Sequence, residues 1–253
     1  MIQPVNRFFF ITSICSIKFF IAFLKFFGHL TIANAECLSR FPKFLDSLLD
    51  SIYHFDRLDA SLRLNVFDTF GAVGSSAAAK KFLDRKSELF RIEQVMNSFG
   101  VAIASGPIDL RVRHIDALAM LLRFRDGEDH ETEAIANKWY KWLGDPFSSM
   151  IVAYLIRPFP DLRMASLRLV LELIGYKWAV GTLCRTSNFL DNVMKREIET
   201  TAEGRQCRYD IVCKLIDNGE TIIPPEDMIK LKLFRREGAF FVERKPMIDM
   251  END

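Results

Sequence analysis

Residues 62–74 read LRLNVFDTFGAVG, and this pattern of a turn, an arginine and an apolar helical stretch returns three times along the chain. The second copy is DLRVRHIDALAMLL at residues 109–122, and the third is PDLRMASLRLVLELI at residues 160–174. A weaker fourth copy, GRQCRYDIVCKLI, occupies residues 204–216. Internal self-similarity of this kind is informative about the fold class before any other feature is considered.

The repeated arginine defines the period, because it falls at Arg63, Arg111, Arg163 and Arg205. The copies are therefore separated by roughly 40–50 residues, which leaves room for two helices per unit. Such a period is typical of HEAT and armadillo repeats, whose units bury their apolar faces only by stacking on one another. The sequence predicts an all-α, HEAT/armadillo-like helical-repeat solenoid: a right-handed superhelix of about four to five units with a C-terminal cap.

The apolar pattern predicts three regions along the chain. Residues 1–18 form an apolar segment whose role the sequence leaves open. Residues 19–220 form the repeats, and residues 221–253 form a capping helix and an acidic tail. Within the repeats, residues 77–97 are expected to continue as one helix, with Gly100 as a break after it.

Residues 1–35 allow three interpretations. Arg7 precedes an apolar run, and Ala33-Asn34-Ala35 resembles a cleavage site, so the first is a secretory signal. Against it, Lys18 and Lys25 limit the apolar run to about 10 residues, whereas a membrane-spanning helix needs roughly 20. The favoured interpretation is a helix buried in the solenoid whose upstream neighbour is missing, and the third is a gene-model artefact in the earliest residues.

Composition argues against several classes of function. The chain has 34 basic and 33 acidic residues, so no nucleic-acid partner is expected. Its cysteines form no C-x-x-C pair and its histidines are widely separated, which argues against a disulfide framework and a zinc site. No nucleophile elbow, phosphate-binding loop or H-E-x-x-H motif occurs, and the carboxylates of residues 126–133 lack calcium-loop spacing. We therefore expect a non-enzyme with no cofactor, metal, small-molecule substrate or membrane partner.

Basic side chains on the predicted inner helices are the candidate partner-binding residues. The repeated arginines lie in the first turn of each inner helix, where a ladder of guanidinium groups would grip an acidic partner. Alternatively, each pairs with the aspartate of its own or the next repeat, or solvates a helix start, and a surface pair of that kind contributes only about 0–1 kcal/mol. A second set of arginines lies two to five positions after the repeated ones. These fit better on a helix face that is turned away from the core. The predicted partner-binding residues are Arg111 and Arg163 from the first set and Arg113, Arg168 and Arg208 from the second.

Two further groups have a structural and a functional interpretation. Trp139, Tyr140 and Trp142 are either an interface hot spot or aromatic filling between stacked helices, and filling is favoured. His114 lies among apolar residues with Asp116 nearby, but no nucleophile motif accompanies it. We therefore expect these residues to belong to the core.

Taken together and in order, several segments resemble the 26S proteasome non-ATPase regulatory subunit 5 family. The similarity spans roughly residues 19–242 and looks like the C-terminal half of that family, whose members are about twice as long. This length predicts that the chain is N-terminally incomplete. The segments are LKFFGHL (24–30), RFPKFLDSLLD (40–50), FDTFGAVGSSAAAKKFL (67–83), DPF (145–147), RPFPDLRMASLRL (157–169), CRYDIVCKLI (207–216) and LKLFRREGAFFV (231–242).

The resemblance implies a non-catalytic chaperone of proteasome base assembly. Such a protein binds the C-terminal region of an AAA ATPase subunit of the base and is absent from the finished proteasome. The implied location is cytoplasmic, with the nucleus as a second compartment. Two alternatives stay open: a generic cytosolic solenoid scaffold for another complex, and a secreted or membrane-anchored helical protein that uses residues 1–35 as its signal.

Overall fold

The computed structural model of the protein describes residues 14–125 and 129–242, with side chains from residue 17 onward. These residues form helices and turns, and no strand occurs among them, so the predicted all-α class is confirmed. The predicted segment 1–18 and the acidic tail lie mostly outside the described residues. The α-helices are α1 (Ile14–Ala33), α2 (Cys37–Arg40), α3 (Pro42–Tyr53), α4 (Ala60–Val73), α5 (Ala77–Arg85), α6 (Ile92–Ser105), α7 (Ile108–Leu121), α8 (His130–Lys141), α9 (Phe147–Tyr154), α10 (Pro160–Leu173), α11 (Lys177–Cys184), α12 (Phe189–Met194), α13 (Ala202–Asn218) and α14 (Pro225–Glu237).

Each copy of the repeated pattern forms a helix, and the repeated arginine is the fourth residue of that helix. We call these four helices, α4, α7, α10 and α13, the inner helices. Two of them start at a capping side chain, because Asp59 and Thr201 each accept a hydrogen bond from the backbone amide three residues later, at 3.0 and 3.1 Å. The other two start at a proline, since α7 follows Pro107 and α10 begins with Pro160.

The chain divides into two compact units, Met1–Phe147 and Ser148–Asp253. The division falls within the stretch predicted as repeats. The predicted region boundaries after residues 18 and 220 stay predictions. Each unit contains two of the inner helices, and in each unit the two pack on one another. This arrangement is the helical-repeat architecture that the sequence period predicts.

In the first unit, α4 packs against both α1 and α7. Small residues allow this close approach: a Cβ atom on Gly71 would lie 2.4 Å from the carbonyl oxygen of Ala117, and one on Gly28 would lie 3.2 Å from Thr69 Cγ2. A side chain at Gly71 would therefore collide with the backbone of the neighbouring helix. Gly71 therefore sets the distance between α4 and α7.

Phenylalanine fills the space around these helices. Phe23 and Phe27 of α1 contact Phe44 of α3, with ring centroids 5.7 and 5.0 Å apart. Phe67 of α4 meets Phe99 of α6 edge-on, with centroids 4.6 Å apart. Aromatic pairs in such geometry contribute about 0.5–1.5 kcal/mol beyond the burial of their area. The high phenylalanine content of the chain is therefore used in part to build this core.

α1 has a buried side and an exposed side. Leu24 is fully buried, whereas Phe19 and Phe26 are 73% and 62% exposed. The helix packs on α3 and α4. None of the described helices combines the length and the apolar character that crossing a bilayer requires.

The predicted continuous helix over residues 77–97 is wrong, because the chain turns between α5 and α6. Arg91 adopts a left-handed conformation with φ of 50°, and this turn allows its neighbours Phe90 and Ile92 both to be buried. Gly100, predicted as a break, lies inside α6. A Cβ atom there would be 1.9 Å from the carbonyl oxygen of Leu143, so its role is close packing. Burial here outweighs local helix propensity.

In the second unit, α13 is the central helix. It contacts α10, α11, α12 and α14, and it is buried along Ile211 and Leu215. α14 packs on α13 and buries Met228, Leu231 and Phe234. α14 thus covers the last of the four inner helices.

Candidate partner-binding surface

In the first unit, the repeated arginine reaches back to the turn that precedes its own helix. Arg63 Nη2 donates a hydrogen bond to the carbonyl oxygen of Leu58 at 3.4 Å, and Arg111 Nη2 donates one to the carbonyl oxygen of Gly106 at 2.8 Å. The acceptor lies five residues upstream in both cases. A guanidinium in the first helical turn can therefore satisfy a turn carbonyl that has no partner within the helix.

In the second unit, the repeated arginine makes the same kind of contact. Arg163 Nη1 donates to the carbonyl oxygen of Arg157 at 2.7 Å, and Arg205 Nε donates to the carbonyl oxygen of Glu199 at 3.0 Å. Here the acceptor lies six residues upstream. The contact is common to all four copies, so it gives a structural reason for the repeated arginine. The sequence-based interpretations placed the arginine on a partner, on an aspartate of a repeat or in solvent at the helix start, and this carbonyl contact at the helix start is a further role.

A buried carboxylate links two of the predicted arginines. Glu199 is 2% exposed, and its Oε1 accepts hydrogen bonds from Arg163 Nε at 3.2 Å and from Arg208 Nη2 at 2.6 Å. Arg208 Nε donates to the same oxygen at 2.9 Å. We call Arg163, Glu199 and Arg208 the buried triad. The two guanidinium groups and their hydrogen bonds offset the cost of burying this polar group.

Arg208 lies in the interior of the second unit. Its side chain is 0% exposed, and it donates to the carbonyl oxygens of Asn192 at 2.5 Å, Val193 at 3.2 Å and Leu155 at 2.6 Å. Burial lowers the pKa of this guanidinium, while the hydrogen bond that it donates to Glu199 opposes the change. The group stays charged at neutral pH, since an arginine is effectively always protonated. Its N–H groups donate to acceptors inside the second unit, so the side chain is inaccessible to a partner in this structure.

The remaining predicted residues lie nearer to solvent. The Arg113 side chain is 56% exposed, and its Nη2 donates to Asp68 Oδ2 of α4 at 2.5 Å. That contact raises the pKa of Arg113. Arg111 and Arg168 are half-buried on α7 and α10. Of the five predicted residues, the structure therefore presents Arg113 most fully to solvent and brings Arg163 and Arg208 together around one carboxylate.

Glu199 is the residue that sequence reasoning missed. It lies in the polar stretch KREIETTAEGR, residues 195–205, where nothing separates it from the solvated acids beside it. It follows the short 3-10 helix Arg196–Ile198, which directs the chain back toward α13. Only the tertiary contacts with Arg163 and Arg208 identify it.

The aromatic residues of α8 and the turn after it lie inward. Trp139 is fully buried and its Nε1 donates to Asp84 Oδ1 at 3.2 Å, and Tyr140 is buried beside Phe147. Trp142 is half-buried, with Lys138 Nζ 5.2 Å from its ring centroid. These positions agree with aromatic filling between helices.

Burial favours the neutral form of one histidine and two cysteines. His114 is fully buried with its ring 4.3 Å from that of Phe67, and burial lowers its pKa from 6.5 to about 4. Burial also raises the pKa of Cys184 to about 11 and that of Cys207 to about 12. Neutral thiols are poor nucleophiles and metal ligands. In the described part of the chain, no group of three or more His, Cys, Asp or Glu residues is placed to hold a metal ion.

Comparison with known proteins points in one direction. The family described as proteasome non-ATPase 26S subunit matches residues 16–253. The 26S proteasome non-ATPase regulatory subunit 5 of Homo sapiens is 23% identical over 227 residues, which are 87% of this chain and 44% of that protein. The protein of the same name from Mus musculus is 24% identical over 227 residues, with the same coverage. The one from Drosophila melanogaster is 20% identical over 222 residues, 87% of this chain and 43% of that protein.

The matches cover different fractions of this chain and of its relatives. The chain is matched along most of its length, yet it spans less than half the length of the curated relatives. No solved structure gives a significant match. The resemblance that the sequence segments predicted is therefore confirmed at low identity.

Proposed function

Because the chain belongs to the proteasome non-ATPase 26S subunit family, we propose that it is a non-catalytic assembly chaperone that binds an AAA ATPase subunit of the proteasome base. The observation that carries the proposal is the family match over residues 16–253, on an all-α fold built from stacked helical repeats. Repeats of this kind offer extended surfaces for binding folded proteins. The proposed location is the cytoplasm, with the nucleus as a second compartment, and the proposed partner contact involves the C-terminal region of the ATPase subunit.

We propose different roles for the predicted arginines within this function. Arg113 is the best-exposed of them, and Arg111 and Arg168 are half-buried on inner helices, so these three are the proposed partner contacts. Arg163 and Arg208 have a structural role within the second unit, because they hold α10, α13 and the preceding turns together through Glu199. Exposed cations affect the rate and selectivity of association more than its final affinity.

Co-purification from cytosol tests the proposal. A tagged chain is expected to enrich proteasome base ATPase subunits without subunits of the 20S core. Arg113→Glu should reduce that enrichment, whereas Arg85→Glu, an exposed arginine on α5 of the same unit, should not. If a different complex is enriched, the chain is a scaffold for that complex. Equal enrichment of ATPase and 20S core subunits would contradict the chaperone function.

The alternative of a cleaved N-terminal signal has a structural cost. Cleavage after Ala35 would remove α1, which packs on α4 with Leu24 and Thr31 buried. The family match also begins at residue 16, inside that helix. Sequencing the N-terminus of the purified chain distinguishes a cleaved signal from a retained α1, since a new terminus at Glu36 would support the signal.

A further inference from the structure

The outer side of α14 has apolar residues that no described part of the chain covers. Ile229 is 67% exposed and Leu233 is 45% exposed. They are four residues apart in a helix, so they lie on one face, one turn above the other. The helix meanwhile buries Met228, Leu231 and Phe234 where it packs on α13. α14 is therefore apolar on two sides.

This pattern is unusual for a helix that packs on its neighbours by one face. The face of such a helix that is turned to solvent normally carries polar side chains. Exposed apolar residues that adjoin one another on such a face indicate a binding site. Helix propensity does not require them, since lysine or glutamate would serve equally well at both positions.

Cations surround the two apolar residues. Lys230, Lys232 and Arg236 are exposed on the same helix. Lys230 Nζ pairs with Asp227 Oδ1 at 2.9 Å, but Lys232 and Arg236 have no acidic partner within residues 14–125 and 129–242. The face thus combines an apolar centre with the cations Lys232 and Arg236, while Glu226 is exposed at its N-terminal end. The two cations favour a partner with acidic side chains.

We propose that the outer face of α14, defined by Ile229, Lys232, Leu233 and Arg236, docks an amphipathic helix of the ATPase partner. The docked helix has two apolar residues one turn apart, flanked by aspartate or glutamate. It lies on α14 as α14 lies on α13, and so extends the stack of helices by one. Its carboxylates form charge-assisted hydrogen bonds with Lys232 and Arg236. This inference rests on the proposed function, because it assigns the surface on which that partner binds.

A matched pair of substitutions tests the apolar centre. Ile229→Asp places a charge at the centre of the face, and Val101→Asp does the same at an exposed β-branched residue of α6 that is 46% exposed. Binding of each full-length variant to purified proteasome base ATPase subunits is measured by biolayer interferometry. We expect Ile229→Asp to weaken binding at least about tenfold, as for a hot-spot residue, and Val101→Asp to change it less than about twofold. Both sites are exposed, so circular dichroism should show unchanged folding.

A second variant tests the charged rim. Lys232→Glu combined with Arg236→Glu should slow association and remove much of its dependence on salt, because the long-range attraction is lost. Hydrogen exchange provides an independent readout. Residues 225–237 should gain protection when the ATPase subunit binds to the unchanged chain.

The possible outcomes separate the docking surface from the proposed function. If the ATPase subunit binds the unchanged chain and Ile229→Asp equally well, the docking surface is wrong while the proposed function stands. If no ATPase subunit binds the unchanged chain, both fail. A dimer that Ile229→Asp converts to a monomer would assign the face to a second copy. Protection of residues 225–237 that needs no ATPase and disappears on removal of residues 243–253 would assign it to the chain's own tail. Either assignment overturns the proposal.

Discussion

At the scale of single residues, arginine is used in two opposite ways that the sequence does not distinguish. Arg113 and Arg208 each follow a repeated arginine by a few positions, and both were predicted to face a partner. In the structure the first is mostly exposed and the second is fully buried in the triad with Arg163 and Glu199. The positions of the arginines were predictable from the repeat. Their acceptors were not, because the turn carbonyls and Glu199 come within reach only after the chain folds.

The buried triad predicts a large loss of stability when one member is removed. Arg208→Ala leaves Glu199 and several backbone carbonyls without their donors in a buried environment, so the free energy of unfolding should fall by about 3–5 kcal/mol. The control is Arg113→Ala, which removes an exposed pair and should cost about 1 kcal/mol or less. Urea denaturation of both variants measures the difference. Losses of similar size would show that the triad contributes no more than a surface ion pair.

His114 predicts a dependence of stability on pH. Burial lowers its pKa in the folded chain to about 4 from the ordinary 6.5, and the nearby positive charge of Arg63 acts in the same direction. The unfolded chain therefore takes up the proton first as the pH falls, and stability is lost progressively between about pH 6.5 and pH 4. The full loss is about 3 kcal/mol, from roughly 2.5 pKa units at 1.36 kcal/mol each.

The test compares denaturation of two variants across this pH range. His114→Leu removes the buried titrating group, so its free energy of unfolding should depend less on pH than that of the unchanged chain. His29→Gln, at an exposed position of α1, should keep the original dependence. Parallel curves for His114→Leu and the unchanged chain would mean that protonation of His114 does not limit stability in acid.

At the scale of the helices, the spacing of apolar residues and the caps were sufficient to locate the inner helices. α4, α7, α10 and α13 begin within a few residues of the repeated patterns. The turn between α5 and α6 could not be predicted, because residues 86–91 contain neither proline nor glycine. That turn exists because both Phe90 and Ile92 are buried. Packing between helices determines that the chain turns here, and the local sequence alone does not predict this packing.

Close packing of α4 on α7 predicts opposite effects of one substitution at two glycines. Gly71→Ala places a Cβ atom 2.4 Å from the carbonyl oxygen of Ala117, so the helices must move apart at a cost of about 1–3 kcal/mol. Gly181→Ala in α11 meets only ordinary contacts, the nearest being Arg185 Nη1 at 3.5 Å. There the higher helix propensity of alanine should stabilise the protein by up to about 1 kcal/mol. Thermal denaturation should show a lower midpoint for Gly71→Ala and a higher one for Gly181→Ala. A rise at both positions would rule out the tight backbone contact.

At the scale of the whole molecule, the sequence period predicted the all-α repeat architecture, and the ordered segments predicted the family. The division into Met1–Phe147 and Ser148–Asp253 was not predictable, because the period continues across it. The outer face of α14 was missed as well. Apolar residues occur around much of that helix, and the sequence does not show which of them meet α13 and which meet solvent.

At this scale, the charged and titratable groups of the described residues differ in their surroundings between the core and the surface. In the described residues the buried histidine and thiols are held neutral, and the buried charges are directed to backbone carbonyls and to each other. The exposed features of the molecule include a paired arginine on α7 and a cationic, apolar face on α14. These are the features by which a helical-repeat protein recognises a folded partner.

The most direct test of the proposed chaperone function is whether the chain distinguishes unassembled from assembled ATPase subunits. Labelled chain is mixed separately with purified base ATPase subunits and with finished 26S proteasome, and the mixtures are resolved on native gels. We predict a shifted species with the free ATPase subunits and no label on the finished particle. Stable label on the finished 26S proteasome, or none on the free subunits, would contradict the proposal that this chain is a chaperone of base assembly.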